Sequence, residues 1–157
     1  MEFKKIFITG GAGYCGSNLV PRLLESGYIV TVYDIMYFGY DFLPKENPNL
    51  KIIIGDIRDA KKIQEACKGQ DVFVSLACIS NDTSFDLDEA LSTSVNMDAF
   101  DPMVKAAKAS GIKRFIYASS SSVYGISDKK DVTEDHPLVP LTLYNKYKGS
   151  CEPVLKN

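Results

Sequence analysis

The sequence is poor in the groups that build metal centres and disulfide frameworks. Its four cysteines, Cys15, Cys67, Cys78 and Cys151, never fall in a Cys-x-x-Cys spacing, and His136 is the sole histidine. This argues against a metal site and a disulfide scaffold and fits a reducing, cytoplasmic setting. Charge of one sign is also lacking: 18 basic against 20 acidic residues leave a net −2, which gives no electrostatic case for nucleic acid or an anionic membrane. The nearest basic run, Lys129-Lys130, is followed by Asp131 and reads as solvated surface. No apolar run approaches the roughly 20 residues that span a bilayer. The opening Met-Glu-Phe-Lys-Lys passes into a strand-like run and shows no signal-peptide pattern. With no repeat, low-complexity tract or linker, residues 1–157 read as one domain, long enough to bury roughly 70% of its unfolded surface.

What is present is an alternation of short apolar runs and longer helical patterns, the mark of βαβ units around a parallel sheet. Strands are expected at Lys5–Thr9, Ile29–Tyr33, Lys51–Ile54, Val72–Leu76 and Phe115–Ala118. Their uniform apolarity predicts helices over both faces of each. Helices are expected at Tyr14–Ser26, Ala60–Lys68, Leu87–Ser110 and from Tyr144 to the end, with Gly27, Gly69 and Gly111 at their C-termini. Pro102 lies inside the third pattern, so that helix kinks there or restarts with Asp101 as its N-cap. Residues 125–143, with Pro137 and Pro140, read as an irregular loop.

The segment Thr9-Gly10-Gly11-Ala12-Gly13-Tyr14-Cys15-Gly16 follows the first strand and opens the first helix. In that context Gly11-x-Gly13-x-x-Gly16 is a dinucleotide-binding pattern. Gly11 is expected to make the turn, Gly13 to admit the pyrophosphate, and Gly16 to let helix and strand approach. The amides at the helix start, those of Tyr14 and Cys15 included, favour phosphate charge. Cys15 could hold an activated thiol there; the plainer reading is a small residue packed on the sheet. Asp34 ends the second strand about 20 residues on, where a carboxylate accepts from ribose hydroxyls. Its charge repels a 2′-phosphate, and neighbouring Ile35 and Met36 bring no arginine, so NAD is expected over NADP. Asp56 has two readings, the adenine edge or a turn or helix-capping role. Leu76-Ala77-Cys78 suit a backbone passing close to the ribose and nicotinamide.

Tyr144 and Lys148 stand one helical turn apart, downstream of the run Ser119-Ser120-Ser121-Ser122. Tyrosine is a poor base, with a pKa of about 10. An ammonium on the same helix face and an oxidised nicotinamide both favour the phenolate. A serine hydroxyl aimed at the same point can hydrogen-bond a substrate oxygen. Tyr-x-x-x-Lys alone is a common accident, and serine runs are commonly loops. Their order behind a dinucleotide opening gives the pair its meaning.

Together these residues resemble the N-terminal half of an extended short-chain dehydrogenase/reductase, in the NAD-dependent epimerase/dehydratase family acting on nucleotide sugars. The likeness runs over Thr9-Gly10-x-x-Gly13-x-x-Gly16, Asp34, Asp56-Ile57, Leu76-Ala77, Asn96, Phe115 through Gly125, and Tyr144-x-x-x-Lys148. It implies an α/β fold: a Rossmann-type doubly wound parallel sheet of about five strands in order 3-2-1-4-5, incomplete without a C-terminal substrate domain. It adds Gly10, Ile57, Asn96 and Lys148 to the cofactor contacts and makes Ser120, with Ser121 as second choice, the catalytic serine beside Tyr144 and Lys148. Sugar 4,6-dehydratases tend to carry Thr-Asp-Glu where this chain has Ser120-Ser121-Ser122. The departure favours epimerisation by oxidation and reduction; a dehydratase, a reductase or a non-catalytic NAD-binding module are the alternatives. The resemblance further implies a homodimer through the long third helix and the tyrosine helix, weakened here. It also implies a truncated chain, inactive by itself, with the strand at Phe115–Ala118 left as a bare edge.

Overall fold

The structure, a computed structural model, describes residues 3–156. It forms two compact units: one runs to Cys78 and resumes over Pro102–Ala118, and the other takes Ile79–Asp101 and the residues from Ser119 on.

The first unit holds five parallel strands, β1 (Lys5–Thr9), β2 (Ile29–Asp34), β3 (Leu50–Ile54), β4 (Val72–Ser75) and β5 (Arg114–Tyr117), in the order β3-β2-β1-β4-β5. This is the expected Rossmann order. One face of the sheet presents Ile6, Ile8, Val30, Val32, Val72 and Val74 to Val20 and Leu24 of helix α1 (Tyr14–Glu25). The opposite face carries a row of rings. Tyr33, Phe7, Phe73 and Phe115 follow one another across β2, β1, β4 and β5 at centroid spacings of 5.7, 5.0 and 4.7 Å. The row arises because β1, β4 and β5 are in register at these phenylalanines, and strand side chains alternate faces. Buried Ile63 of α2 (Ala60–Ala66) and buried Met103, Ala106 and Ala107 of α5 (Phe100–Ala109) complete this layer. At the opposite end from the glycine turn, Asp71 clasps the sheet: one carboxylate oxygen accepts from the amides of Lys4 and Lys5, and the other pairs with Lys113 at 2.8 Å.

The expectation of helices over both faces fails at the margins. Lys51, Ile52 and Ile54 of β3 and Arg114 and Ile116 of β5 are exposed. Uniform apolarity identifies a parallel strand but does not distinguish a central one from an edge.

The second unit contains α3 (Asp82–Leu87), α4 (Glu89–Thr93), a π-helical turn (Ser94–Asp98) and α6 (Leu143–Cys151). The single helix expected over Leu87–Ser110 is therefore corrected to a broken series. Asp88 is extended (φ −151°, ψ 91°), and its carboxylate caps α4 by accepting from Leu91 N at 2.9 Å. The series resumes at Phe100, so Pro102 lies in the first turn of α5, where its missing N–H costs little. Asp101 is inside that turn and is not its cap. Helix α6 ends at Cys151, and a short 3₁₀ turn over Pro153–Lys156 follows; Asn157, in the expected helix, lies outside the described residues. Residues 126–141 contain no helix or strand, as expected.

Candidate functional site

The glycine turn is built by different glycines from those expected. Gly10 adopts φ +73°, and a Cβ there would sit 2.5 Å from Ala77 N. Gly10 thus makes the turn and lets Leu76 and Ala77, whose amides both donate to Thr9 O, close on it. A Cβ on Gly11 would strike Val32, and one on Gly16 would meet Gly11 O at 2.3 Å. Gly16 therefore admits the loop, and the expected helix–strand approach is corrected to that contact. Gly13 differs from these three. A Cβ there would meet only Gly10 O, at 3.3 Å, and would need that oxygen to give by a few tenths of an ångström, the mildest demand of the four. Bareness at Gly13 leaves a cradle that a side chain would fill, at the start of α1. The residues present fit a pyrophosphate at that position.

Asp34, at the end of β2, has one carboxylate oxygen accepting from Ala12 N at 3.0 Å and the other from Met36 N at 2.8 Å. It ties the glycine turn to the segment after β2, and each oxygen keeps lone-pair capacity for a further donor. Tyr14 and Cys15 are exposed at the opening of α1, so the reading of Cys15 as packed on the sheet is corrected. Asp56, past β3, is engaged by Arg58: the guanidinium and the Arg58 amide all donate to its carboxylate, which holds its pKa below the usual range. The turn reading of Asp56 describes what its side chain does here. Ile57 is buried and Cys78 half-buried.

The polar constellation of the second unit grows from caps. Thr142 accepts from Asn145 N and opens α6, which sets half-buried Tyr144 and buried Lys148 one turn apart on that helix. Phe85 of α3 is buried edge-on to the rings of Tyr144 and Tyr147. Ser120 is extended (φ −152°, ψ 141°) and caps a 3₁₀ turn over Ser121–Tyr124. Its hydroxyl lies 2.6 Å from that of Ser122, which in turn donates to Asn145 Oδ1 at 2.5 Å. The serine run and the start of the tyrosine helix are thereby joined. Ser121 is exposed. Asn96, in the π turn, is buried and pairs its amide with the backbone of Ile79 in both directions, at 2.9 and 2.8 Å. Its side chain thus holds the segment directly after Cys78. Sequence reasoning missed the Ser122–Asn145 contact, which joins two separate elements; the Thr142 cap signals only where α6 begins.

A family profile described as the NAD dependent epimerase/dehydratase family matches residues 6–157. This chain belongs to that family. Within it, the UDP-glucose 4-epimerase of Rhizobium meliloti (strain 1021) is 31% identical over 160 residues, covering 100% of this chain and 48% of the relative. Among solved structures, the UDP-N-acetylglucosamine 4-epimerase from Methanobrevibacter ruminantium M1 superposes with a TM-score of 0.90 at 31% identity, over 99% of this chain and 50% of that one. A dTDP-glucose 4,6-dehydratase from Streptomyces venezuelae, solved with NAD and TYD bound, gives a TM-score of 0.87 at 29% identity, over 95% and 49%. The chain spans about half the length of these epimerase/dehydratase relatives. The family's NAD dependence agrees with the cofactor expected from the glycine turn and Asp34. Among the described residues no helix is long and apolar enough to cross a membrane.

Proposed function

We propose that this chain binds NAD and carries the proton-handling residues of a nucleotide-sugar 4-epimerase. The observation that supports this best is the hydrogen-bonded link from Ser120 through Ser122 to Asn145, next to Tyr144 and one turn before Lys148. When bound, NAD supplies the acceptor and then the donor of a hydride at the sugar carbon. Tyr144 takes the proton of the sugar hydroxyl as it is oxidised and returns it on reduction. Lys148, on the same helix face, favours the phenolate by its charge. Ser120 holds the reacting oxygen by a hydrogen bond. Neither Ser121 nor Ser122 can act as the acid or base that eliminating water needs, which sets the dehydratase alternative behind the epimerase. On this reading the cradle is Gly10, Gly11, Gly13, Tyr14, Cys15 and Gly16, with Asp34 at the ribose and Asp56, Ile57, Leu76, Ala77, Cys78, Asn96 and Lys148 as the further cofactor contacts.

Calorimetric titration with both dinucleotides tests the cofactor. NAD binds more tightly than NADP on this reading, and Gly13→Val abolishes binding; equal affinity for NADP would overturn the role of Asp34. Interconversion of UDP-glucose and UDP-galactose tests the chemistry. The 157 residues alone bind cofactor without measurable turnover, because positioning the reacting carbon supplies ~7–11 kcal/mol of barrier reduction and the relatives use about twice as much chain. A form extended to the relatives' length turns over and loses activity with Tyr144→Phe. The second reading, a non-catalytic NAD module, is what inactivity of that extended form would leave. We also infer a homodimer in the cytoplasm; light scattering over a concentration series that shows a monomer throughout would refute the dimer.

A further inference from the structure

The serine run contains a hydrogen-bond chain with a defined resting direction. Ser122 Oγ lies 2.5 Å from Asn145 Oδ1, and an amide oxygen can only accept, so the Ser122 proton is committed there. At the 2.6 Å contact between Ser120 Oγ and Ser122 Oγ, Ser120 must then be the donor. The backbone amide of Ser122 donates to Ser120 Oγ as well, at 3.2 Å. A hydroxyl has one proton and two acceptor sites. The proton of Ser120 is turned toward Ser122 and one acceptor site is taken, so Ser120 offers a single lone pair to any ligand. It is set as a hydrogen-bond acceptor.

That polarity suits a resting alcohol, whose single proton points to Ser120 until it turns to Tyr144 for removal, and not a ketone. Epimerisation through oxidation presents both at the same carbon in turn, so an inference about Ser120 here rests on the epimerase reading. We propose that Ser122 and Asn145 are positioning residues that set the proton of Ser120, and that Asn145 reverses the chain when the bound sugar becomes a ketone. An asparagine amide has an oxygen and an NH₂ at nearly interchangeable positions. Turned over, Asn145 Nδ2 donates to Ser122 Oγ, Ser122 donates to Ser120, and Ser120 donates to the carbonyl. Only two hydroxyl rotors and one amide move, and no proton changes its owner. The backbone of Asn145 stays fixed through its amide bond to Thr142 Oγ1, and the side chain is buried, so water does not compete at the end of the chain. A glycine or alanine at this place could not set either direction, and an aspartate could set only one.

Nuclear magnetic resonance of the labelled 157-residue chain tests the resting direction without any need for turnover. The hydroxyl protons of Ser120 and Ser122 exchange slowly. Ser122→Ala and Asn145→Ala each speed exchange of the Ser120 proton by about tenfold, the value of one lost hydrogen bond. Ser122→Thr, which restores a hydroxyl, restores protection, and Asn145→Asp keeps it. Unchanged exchange in Ser122→Ala overturns the chain. The reversal is read in the extended form that turns over a UDP-sugar. There Asn145→Asp, similar in shape but able only to accept, lowers kcat by about tenfold with KM unchanged. Wild-type kcat in that variant overturns the reversal. Full activity in Ser120→Ala would remove the epimerase reading and leave the resonance result standing, so the two failures are separable.

Discussion

The two units are stabilised by different kinds of interaction. In the first, strands carry valine, isoleucine and phenylalanine into two dry layers, and the rings of Tyr33, Phe7, Phe73 and Phe115 form one continuous row. In the second, segments are held by single side chains gripping nearby backbone: Asn81, Asp88, Ser120 and Thr142 cap helical turns, and Asn96 grips Ile79. Apolar layers resist local change because many contacts share the load. A cap or clamp depends on one atom. The sheet therefore suits the task of a fixed cofactor platform, and the capped turns suit a group of hydroxyls whose directions matter.

Four substitutions sharpen or break this contrast. The largest effect is expected from Phe73→Ala, which removes a fully buried ring from the middle of the row and costs about 3–5 kcal/mol by urea unfolding. A loss under about 1 kcal/mol would mean that the ring layer is not a unit. Asn96→Ala leaves the Ile79 amide and carbonyl without their partner and costs about 2 kcal/mol. Hydrogen exchange should place that loss in the second unit, with the sheet amides unaffected; equal loss in the sheet would erase the distinction. Thr142→Ala removes the α6 cap and costs about 1 kcal/mol, read as faster exchange at the amide of Asn145.

The smallest effect at neutral pH is expected from Tyr33→Phe, which gives up one bond to Asp56 O, worth about 1 kcal/mol. Its signature is at alkaline pH. Burial, with the nearby charges of Asp59 and Asp56, pushes the Tyr33 pKa up to about 12 from 10.0. A folded-state pKa above the unfolded one gives stability that is fully present below pH 10.0 and lost as pH rises toward 12. The wild type should lose stability across that window, and Tyr33→Phe should lose less. Identical alkaline profiles would show that the tyrosine is not the titrating group.

Much of the sheet was legible because its signals are local. Each strand was found within one residue at either end, and the strand order followed from family resemblance. The edges were not legible: Ile54 and Ile116 look in sequence like Val32 and Val74, and only the order of strands leaves the first pair outside. The broken helix was missed because Asp88 fits a helical repeat until its side chain turns back to cap the next segment. At the candidate site, sequence pattern singled out the glycine segment, Asp34, Tyr144 and Lys148 as candidates, and the structure sets Ala12 of that segment against Asp34 and the last two one helical turn apart. It assigned the turn to Gly11 because the pattern counts spacing, whereas backbone dihedrals assign it to Gly10. The Ser122–Asn145 contact joins residues on separate elements, and spacing along the chain does not encode it.

The central position of β1 has a consequence for how the chain comes off the ribosome. Lys5–Thr9 is made before both of its neighbours in the sheet, Ile29–Asp34 and Val72–Ser75. One flank can be paired early, while the other waits until the fourth strand has left the exit tunnel. At ~5–20 residues per second, that leaves Ile6, Phe7 and Ile8 with an open strand edge for several seconds. During that interval the nascent chain exposes an apolar strand with an unpaired edge, a segment to which a chaperone that binds short apolar stretches can attach.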